Sequence, residues 1–188
     1  MKRLLLIVDP QNDFINGSLA VAEAEAKMQA LASYIATNAE RYQAIFVTMD
    51  SHPAKHCSFV EQGGIWPPHC VLHTPGWETP AYLDETFKQS KSVVLRYYKG
   101  TKTEKEEYSI FDNEEDGVVL ARHISEAIAG GASIDICGIA GDYCVLETLK
   151  GLRTFVADEH IRVLTDYIAS IDGGDALNSY LGSSQIEM

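Results

Sequence analysis

Apolar residues in this chain fall into short unbroken runs. Between them lie longer stretches where apolar positions recur every three or four residues. RLLLIVD (3–9) and QAIFVTMD (43–50) lack the alternation of a half-exposed strand and predict buried strands, the first buried on both faces. SVVLRYYK (92–99), SIDICGIAG (133–141) and HIRVLTDYIA (160–169) predict three further strands. LAVAEAEAKMQALASYIATNAE (19–40) is rich in Ala, Glu and Leu at helical spacing, with Ser18 as its N-cap. PAYLDETFKQ (80–89) predicts a short helix. GVVLARHISEAIAGG (117–131) predicts an amphipathic helix stopped by Gly130 and Gly131. DYCVLETLKGLRTF (142–155) predicts a helix capped by Asp142, and GDALNSYLGSSQ (174–185) a last one. The proline-bearing stretch 51–79 and the polar stretch 100–113 predict loops, and the final IEM a stub of a sixth strand.

Strand and helix alternate without a linker, a repeat or a low-complexity tract. The expectation is one α/β domain over residues 1–188. It is a three-layer, Rossmann-like arrangement, with a mostly parallel sheet of five to six strands flanked by helices. In such a sheet ligands bind beyond the carboxyl ends of the strands, near the point where strand order reverses. That rule gathers particular side chains on one rim. The first strand ends at Asp9, the second at Asp50 with His52 close behind, and the third at Lys99. The fourth leads into Cys144 in the first turn of the next helix, where the helix dipole favours a thiolate.

Composition narrows the function. The chain has 188 residues, 46% of them hydrophobic, enough for one domain with a proper core. The apolar run after Met1 meets Asp9 too soon for a signal peptide, and no stretch has the length of a membrane span. The expectation is a soluble cytoplasmic protein. With 27 acidic and 15 basic residues the formal net charge is −12, which argues against nucleic acid as a partner and is compatible with a homo-oligomer. The cysteines Cys57, Cys70, Cys137 and Cys144 form no C-x-x-C pair, so a zinc ribbon and a thioredoxin motif are both excluded.

TMDSHPAKH (48–56) sets Asp50, His52 and His56 close together, and His69 follows in IWPPHC. Asp50 and His52 alternate on an extended segment and point the same way. Two histidines and a carboxylate leave coordination positions open, which suits catalysis or ligand binding rather than a structural zinc. His56 stands as a fourth ligand or as a partner to a bound water.

DPQNDF from Asp9, the D-x-H-P-x-x-H of Asp50 to His56, WPPHC from Trp66, YKG ending at Gly100 and GIAGDYCV from Gly138 follow one another in a distinctive order. Together they resemble the isochorismatase-like cysteine hydrolases, and among them the metal-containing nicotinamidase/pyrazinamidase group. The resemblance implies hydrolysis of a small-molecule amide, nicotinamide, to nicotinate and ammonia through a cysteine thioester, as in NAD salvage, with pyrazinamide as a further substrate. It implies Asp9, Lys99 and Cys144 as catalytic residues and Asp50, His52 and His69 as metal ligands, with His56 completing the site. It implies one divalent metal ion, zinc first, with iron or manganese as alternatives. It further implies a cis peptide between Ile139 and Ala140, backbone N–H groups of Ala140 and Cys144 facing one oxyanion, and Phe14 and Trp66 as walls around the ring. Tyr108 closes that pocket. Ser51 departs from the Trp common in the family, and Gly141 from the Thr. Another small-amide hydrolase of the same fold, a non-catalytic metal-binding module and a redox protein using Cys144 remain as other readings.

Overall fold

Residues 2–188 are described in the computed structural model, so Met1 of the predicted 1–188 domain lies outside the described residues. The five predicted strands form the sheet: β1 (Arg3–Val8), β2 (Tyr42–Asp50), β3 (Val93–Lys99), β4 (Ser133–Ile139) and β5 (Ile161–Ala169). Every pairing is parallel, in the order β3-β2-β1-β4-β5. The central strands are those with no polar alternation. Leu5 to Val8 have no solvent exposure, and every residue of β4 is buried. The expected sixth strand is a single bridge, Arg162 to Glu187, which covers the outer edge of β5.

The helices are α1 (Asn12–Ile15), α2 (Ala24–Asn38), α3 (Ala81–Gln89), α4 (Asp116–Ala129), α5 (Cys144–Leu152) and α6 (Asp175–Gly182). Strand order runs one way from β1 to β3 and the other way from β4 to β5. Right-handed crossovers therefore put α2 and α3 on one face and α4 and α5 on the other. α2 packs on α3 and β5, α4 on β3 and β4, and α5 on β4 and β1. Among the described residues no helix is long and apolar enough to cross a membrane.

Two local readings need correction. The long helix begins at Ala24, not next to Ser18, because residues 12–21 fold into α1 and a loop. There the Val21 N–H donates to the Phe14 carbonyl, and the Ser18 hydroxyl donates to the Pro68 carbonyl at 2.7 Å. Asp142 does not cap α5. Its carboxylate accepts from the Ile171 and Asp172 N–H groups at 2.9 and 3.1 Å, and Tyr143 takes the N-cap position.

The order reverses between β1 and β4, which fixes the crevice. Their approach depends on Gly138. At φ 125° a Cβ there would sit 2.1 Å from the Val8 carbonyl oxygen. Asp9 follows β1 and Cys144 opens the helix after β4, so both flank the crevice.

Candidate active site

Asp9 turns the chain at φ 46°, a left-handed conformation that non-glycine residues seldom adopt. Thr48 holds it there. The Asp9 N–H donates to the Thr48 carbonyl at 3.1 Å, and the Thr48 hydroxyl donates to Asp9 Oδ1 at 2.7 Å. The other oxygen, Oδ2, stands 2.8 Å from Lys99 Nζ. Lys99 also reaches Asp50 Oδ1 at 2.6 Å and Cys144 Sγ at 3.5 Å. Asp9 and Lys99 have no solvent exposure and Cys144 has 5%, so one ammonium serves two carboxylates and a thiol away from water.

Burial sets the proton affinities. It pushes the Asp9 carboxyl up, against the opposing pull of Lys99 and with a further push from Asp50. It pushes the Cys144 thiol well up, again with Lys99 opposing and the carboxylates adding. Burial alone would lower Lys99, but the charges of Asp50 and Asp9 outweigh it and keep the ammonium charged. Burial alone would raise Asp50, but Lys99 and His52 outweigh it and hold the carboxyl well below its ordinary range. The resting thiol is therefore protonated and lies beside a carboxylate with raised proton affinity, the arrangement general-base activation requires.

The Ile139–Ala140 peptide is cis. Among the described residues, neither the Ala140 N–H nor the Cys144 N–H is taken by an acceptor of the chain, whereas Gly141, Tyr143 and Val145 all donate. Two free donors thus flank the thiol.

Asp50, His52 and His69 each offer a ligand atom, and these atoms lie within 4.8 Å of one another. His52 Nδ1 is 3.0 Å from the Gly100 carbonyl and His69 Nδ1 is 2.8 Å from the Pro67 carbonyl. A carbonyl can only accept, so both Nδ1 atoms carry hydrogen, and in the neutral rings both Nε2 atoms keep a lone pair. Those Nε2 atoms stand 3.5 and 4.0 Å from Asp50 Oδ2. Two ligands at about 2.0–2.1 Å from one tetrahedral ion lie about 3.3 Å apart. His52 Nε2 is buried with no hydrogen-bond partner, which is costly unless an ion fills the gap. The donor set fits a divalent metal. His56 lies outside this group. Its Nε2–H donates to the Lys105 carbonyl at 2.9 Å, its Nδ1 is 2.8 Å from the Ser58 hydroxyl, and its ring stacks on His52 at 3.9 Å. It is found instead in a second grouping with His52 and Glu106.

A narrow cavity opens above Cys144, lined by Phe14, Trp66, Tyr108, Ala140, Asp50 and His69. Ile139 is fully buried and does not line it. The Trp66 indole donates to the Tyr108 hydroxyl at 3.0 Å, and Tyr143 packs edge-on against Trp66 at 5.0 Å. Leu19, Val21, Glu106, Tyr143 and Ile171 also line the cavity. Ile171 follows β5, so the strand-end rule could have found it. Nothing in the sequence separates Glu106, on the wall, from Glu107, which is fully buried. A larger groove beside β3, lined by Trp77, Phe87, Arg96 and Tyr98, contains none of Asp9, Lys99 and Cys144 and none of the metal-type side chains.

Both departures from the family pattern have local partners. The Ser51 hydroxyl accepts from the Trp77 indole at 2.8 Å, so an indole reaches this position from the loop instead of from residue 51. A Cβ at Gly141 would meet the Ser170 hydroxyl oxygen at 2.1 Å, so Ser170 fills the space that a larger residue would need.

The family model for the isochorismatase domain matches residues 3–179. The chain is 36% identical over 175 residues to the nicotinamidase/pyrazinamidase of Mycobacterium tuberculosis, covering 90% of this chain and 87% of that protein. Its fold is similar to that of the pyrazinamidase of Pyrococcus horikoshii solved in complex with zinc, with TM-score 0.77, 31% identity, and 100% and 98% of the two chains covered. It is likewise similar to PnC1 from L. infantum in complex with nicotinate, with TM-score 0.79, 30% identity, and 99% and 91% covered.

Proposed function

The chain belongs to the isochorismatase domain family, and from that premise we propose that it is an amidohydrolase converting nicotinamide to nicotinate and ammonia. The observation that carries this is the contact of Lys99 with Asp9, Asp50 and Cys144 at once, which joins a thiol and its base to a metal-type donor group. The relatives' activities and the nicotinate complex of a structural neighbour support the substrate.

Asp9 takes the proton of Cys144 as sulfur attacks the carboxamide carbon. Lys99 offsets the negative charge that moves from Asp9 to sulfur. The N–H groups of Ala140 and Cys144 receive the oxyanion, each worth about 3 kcal/mol to the transition state. Asp9 returns its proton to the departing nitrogen, the C–N bond breaks, ammonia leaves, and a thioester remains on Cys144. Asp9 then takes a proton from a water molecule as that water attacks the thioester. The C–S bond breaks, the proton returns to sulfur, and nicotinic acid leaves, its carboxyl proton passing to ammonia in solution to give nicotinate and ammonium. Phe14 and Trp66 hold the ring so that its carboxamide lies over the thiol, and Tyr108 and Tyr143 narrow the entrance. Asp50, His52 and His69 would hold a divalent metal, which would supply a Lewis-acid contact for the pyridine nitrogen. Zinc is the first choice, supported by the zinc complex of a neighbour, with iron and manganese compatible with the same donors. His56 supports His52 from behind.

The whole chain acts as one domain in this reading, a view supported by the family match over 3–179. Pyrazinamide, which carries the same ring nitrogen and carboxamide, is a second substrate. The setting is NAD salvage in the cytoplasm, in keeping with four free cysteines. A carbamoyl-amide hydrolase would use Asp9, Lys99 and Cys144 equally well but has no need of the Asp50, His52 and His69 group.

The test is ammonia release from nicotinamide before and after chelation, followed by return of zinc, iron or manganese. Release that falls with chelator and returns with metal is expected. No release with any metal, alongside release from a carbamoyl amide, would overturn the substrate.

A further inference from the structure

Glu107 is a carboxylate with no solvent exposure and has no part in the steps above. Burying an ion is costly unless its lone pairs find donors. Its Oε2 accepts from the Gly100 N–H and from Asn113 Nδ2, each at 2.9 Å. Its Oε1 stands 3.0 Å from Lys105 Nζ, a charge contact without hydrogen-bond alignment.

These contacts meet the metal-type group at Gly100. The Gly100 N–H is held by Glu107, and the Gly100 carbonyl holds His52 through Nδ1–H at 3.0 Å. There is no slack at this residue. Its φ is +63°, and a Cβ there would lie 2.4 Å from His52 Cε1. The same loop grips His52 from its other side, because the Lys105 carbonyl fixes His56, whose ring stacks on His52 at 3.9 Å. Residues 105–107 thus restrain His52 at both its edge and its face, and one buried carboxylate ties that loop to the end of β3.

We propose that Glu107 is a positioning residue for metal binding. By anchoring Gly100 it holds His52 in the tautomer and orientation that direct Nε2 toward Asp50 and His69. The proposal rests on the reading of Asp50, His52 and His69 as metal ligands. Groups that orient a ligating histidine typically change metal affinity about 10- to 100-fold when removed.

The experiment measures zinc affinity of the metal-free protein by competition with a chromophoric chelator, without substrate, at a temperature where every variant is folded. Wild type is expected to take up one zinc ion, and His52→Ala to lose it. Glu107→Ala is expected to bind zinc about 10- to 100-fold more weakly. Glu107→Gln keeps an oxygen for Gly100 and Asn113 and is expected to recover most of the loss. Asp135→Asn, at the opposite end of the sheet, controls for general destabilisation and is expected to keep wild-type affinity. A Glu107→Ala protein that melts lower yet binds zinc as tightly as Asp135→Asn would make the carboxylate merely structural and overturn the proposal. Should Glu107→Ala not fold, Glu107→Asp decides, because it keeps the charge but shortens its reach to Gly100, with weaker zinc binding expected and unchanged binding overturning the proposal. Wild type that takes up no zinc would overturn the metal reading itself, a result distinct from failure of Glu107 alone.

Discussion

Lys99 has no solvent exposure and stands 2.8 Å from Asp9, 2.6 Å from Asp50 and 3.5 Å from Cys144. Lys99→Met keeps the straight stem and removes the ammonium, leaving two buried carboxylates without a counter-charge. Neither carboxylate lies in water, so the discount appropriate to surface pairs does not apply. Breaking a buried pair from one side costs about 3–5 kcal/mol. At about 2–4 °C per kcal/mol for a chain of this size, the metal-free variant should melt roughly 6–20 °C below wild type near neutral pH. Burial already raises the Asp9 carboxyl, with Lys99 opposing and Asp50 adding, so loss of Lys99 raises it further. A carboxyl raised in the folded state favours folding most below its unfolded value and loses that advantage as pH rises through the folded one. The deficit should therefore be smaller at about pH 5 than at about pH 8. Thermal unfolding by circular dichroism at both pH values measures it. A deficit under about 2 °C at neutral pH, or one that grows on acidification, would refute the reasoning. Turnover should fall about 10²–10⁴-fold in the same variant.

Asp135, fully buried at the far end of β4, accepts from Tyr42 Oη and Arg162 Nη2, each at 2.6 Å, and from Arg3 Nε at 2.8 Å. Asp135→Ala should cost about 3–5 kcal/mol in urea unfolding while leaving kcat unchanged below the melting range. Gly141→Ala forces a methyl to within 2.1 Å of the Ser170 hydroxyl and should lower kcat beside the nucleophile. Adding Ser170→Gly should restore it in a double-mutant cycle, and a purely additive cycle would show that the two residues do not compete for space. Phe14→Ala removes a buried ring from the cavity wall, worth about 1.5–3 kcal/mol, and should raise KM about 10- to 100-fold with a much smaller change in kcat. Equal losses in kcat and kcat/KM would move Phe14 from ground-state binding to the transition state.

The central strands were legible because burial on both faces leaves them no polar alternation, whereas the edge strands β3 and β5 keep exposed positions. The strand-end rule then collected Asp9, Asp50, Lys99 and Cys144 on one rim. Lys99 shows the power and the limit of that rule. Its neighbours KGTKTEKEE read as solvated, yet strand alternation turns Lys99 inward with Tyr97, while Thr101 to Glu104 are exposed. Loops were far less legible. Ser18 and Asp142 have the side chains of N-caps, but their oxygens meet the Pro68 carbonyl and the loop after β5, partners distant in sequence. Glu106 and Glu107 are adjacent and chemically alike, and only the path of the loop sends one to the cavity wall and the other into the interior. His56 shares a motif with His52, but its ring nitrogens meet Ser58 and Lys105, a contact that depends on where residues 100–113 fold back. Trp77 lies 26 positions from Ser51, so the indole that reaches that serine could not be inferred from local spacing.

The most direct measurement is the intact mass of the metal-loaded protein, quenched with acid within the first turnovers on nicotinamide and then digested to locate any adduct. A fraction of the chains should carry one pyridine-carbonyl group as a thioester on Cys144, released by hydroxylamine and absent from Cys144→Ala. Steady ammonia release with no adduct at any quench time, together with turnover retained in Cys144→Ala, would contradict covalent catalysis at this cysteine.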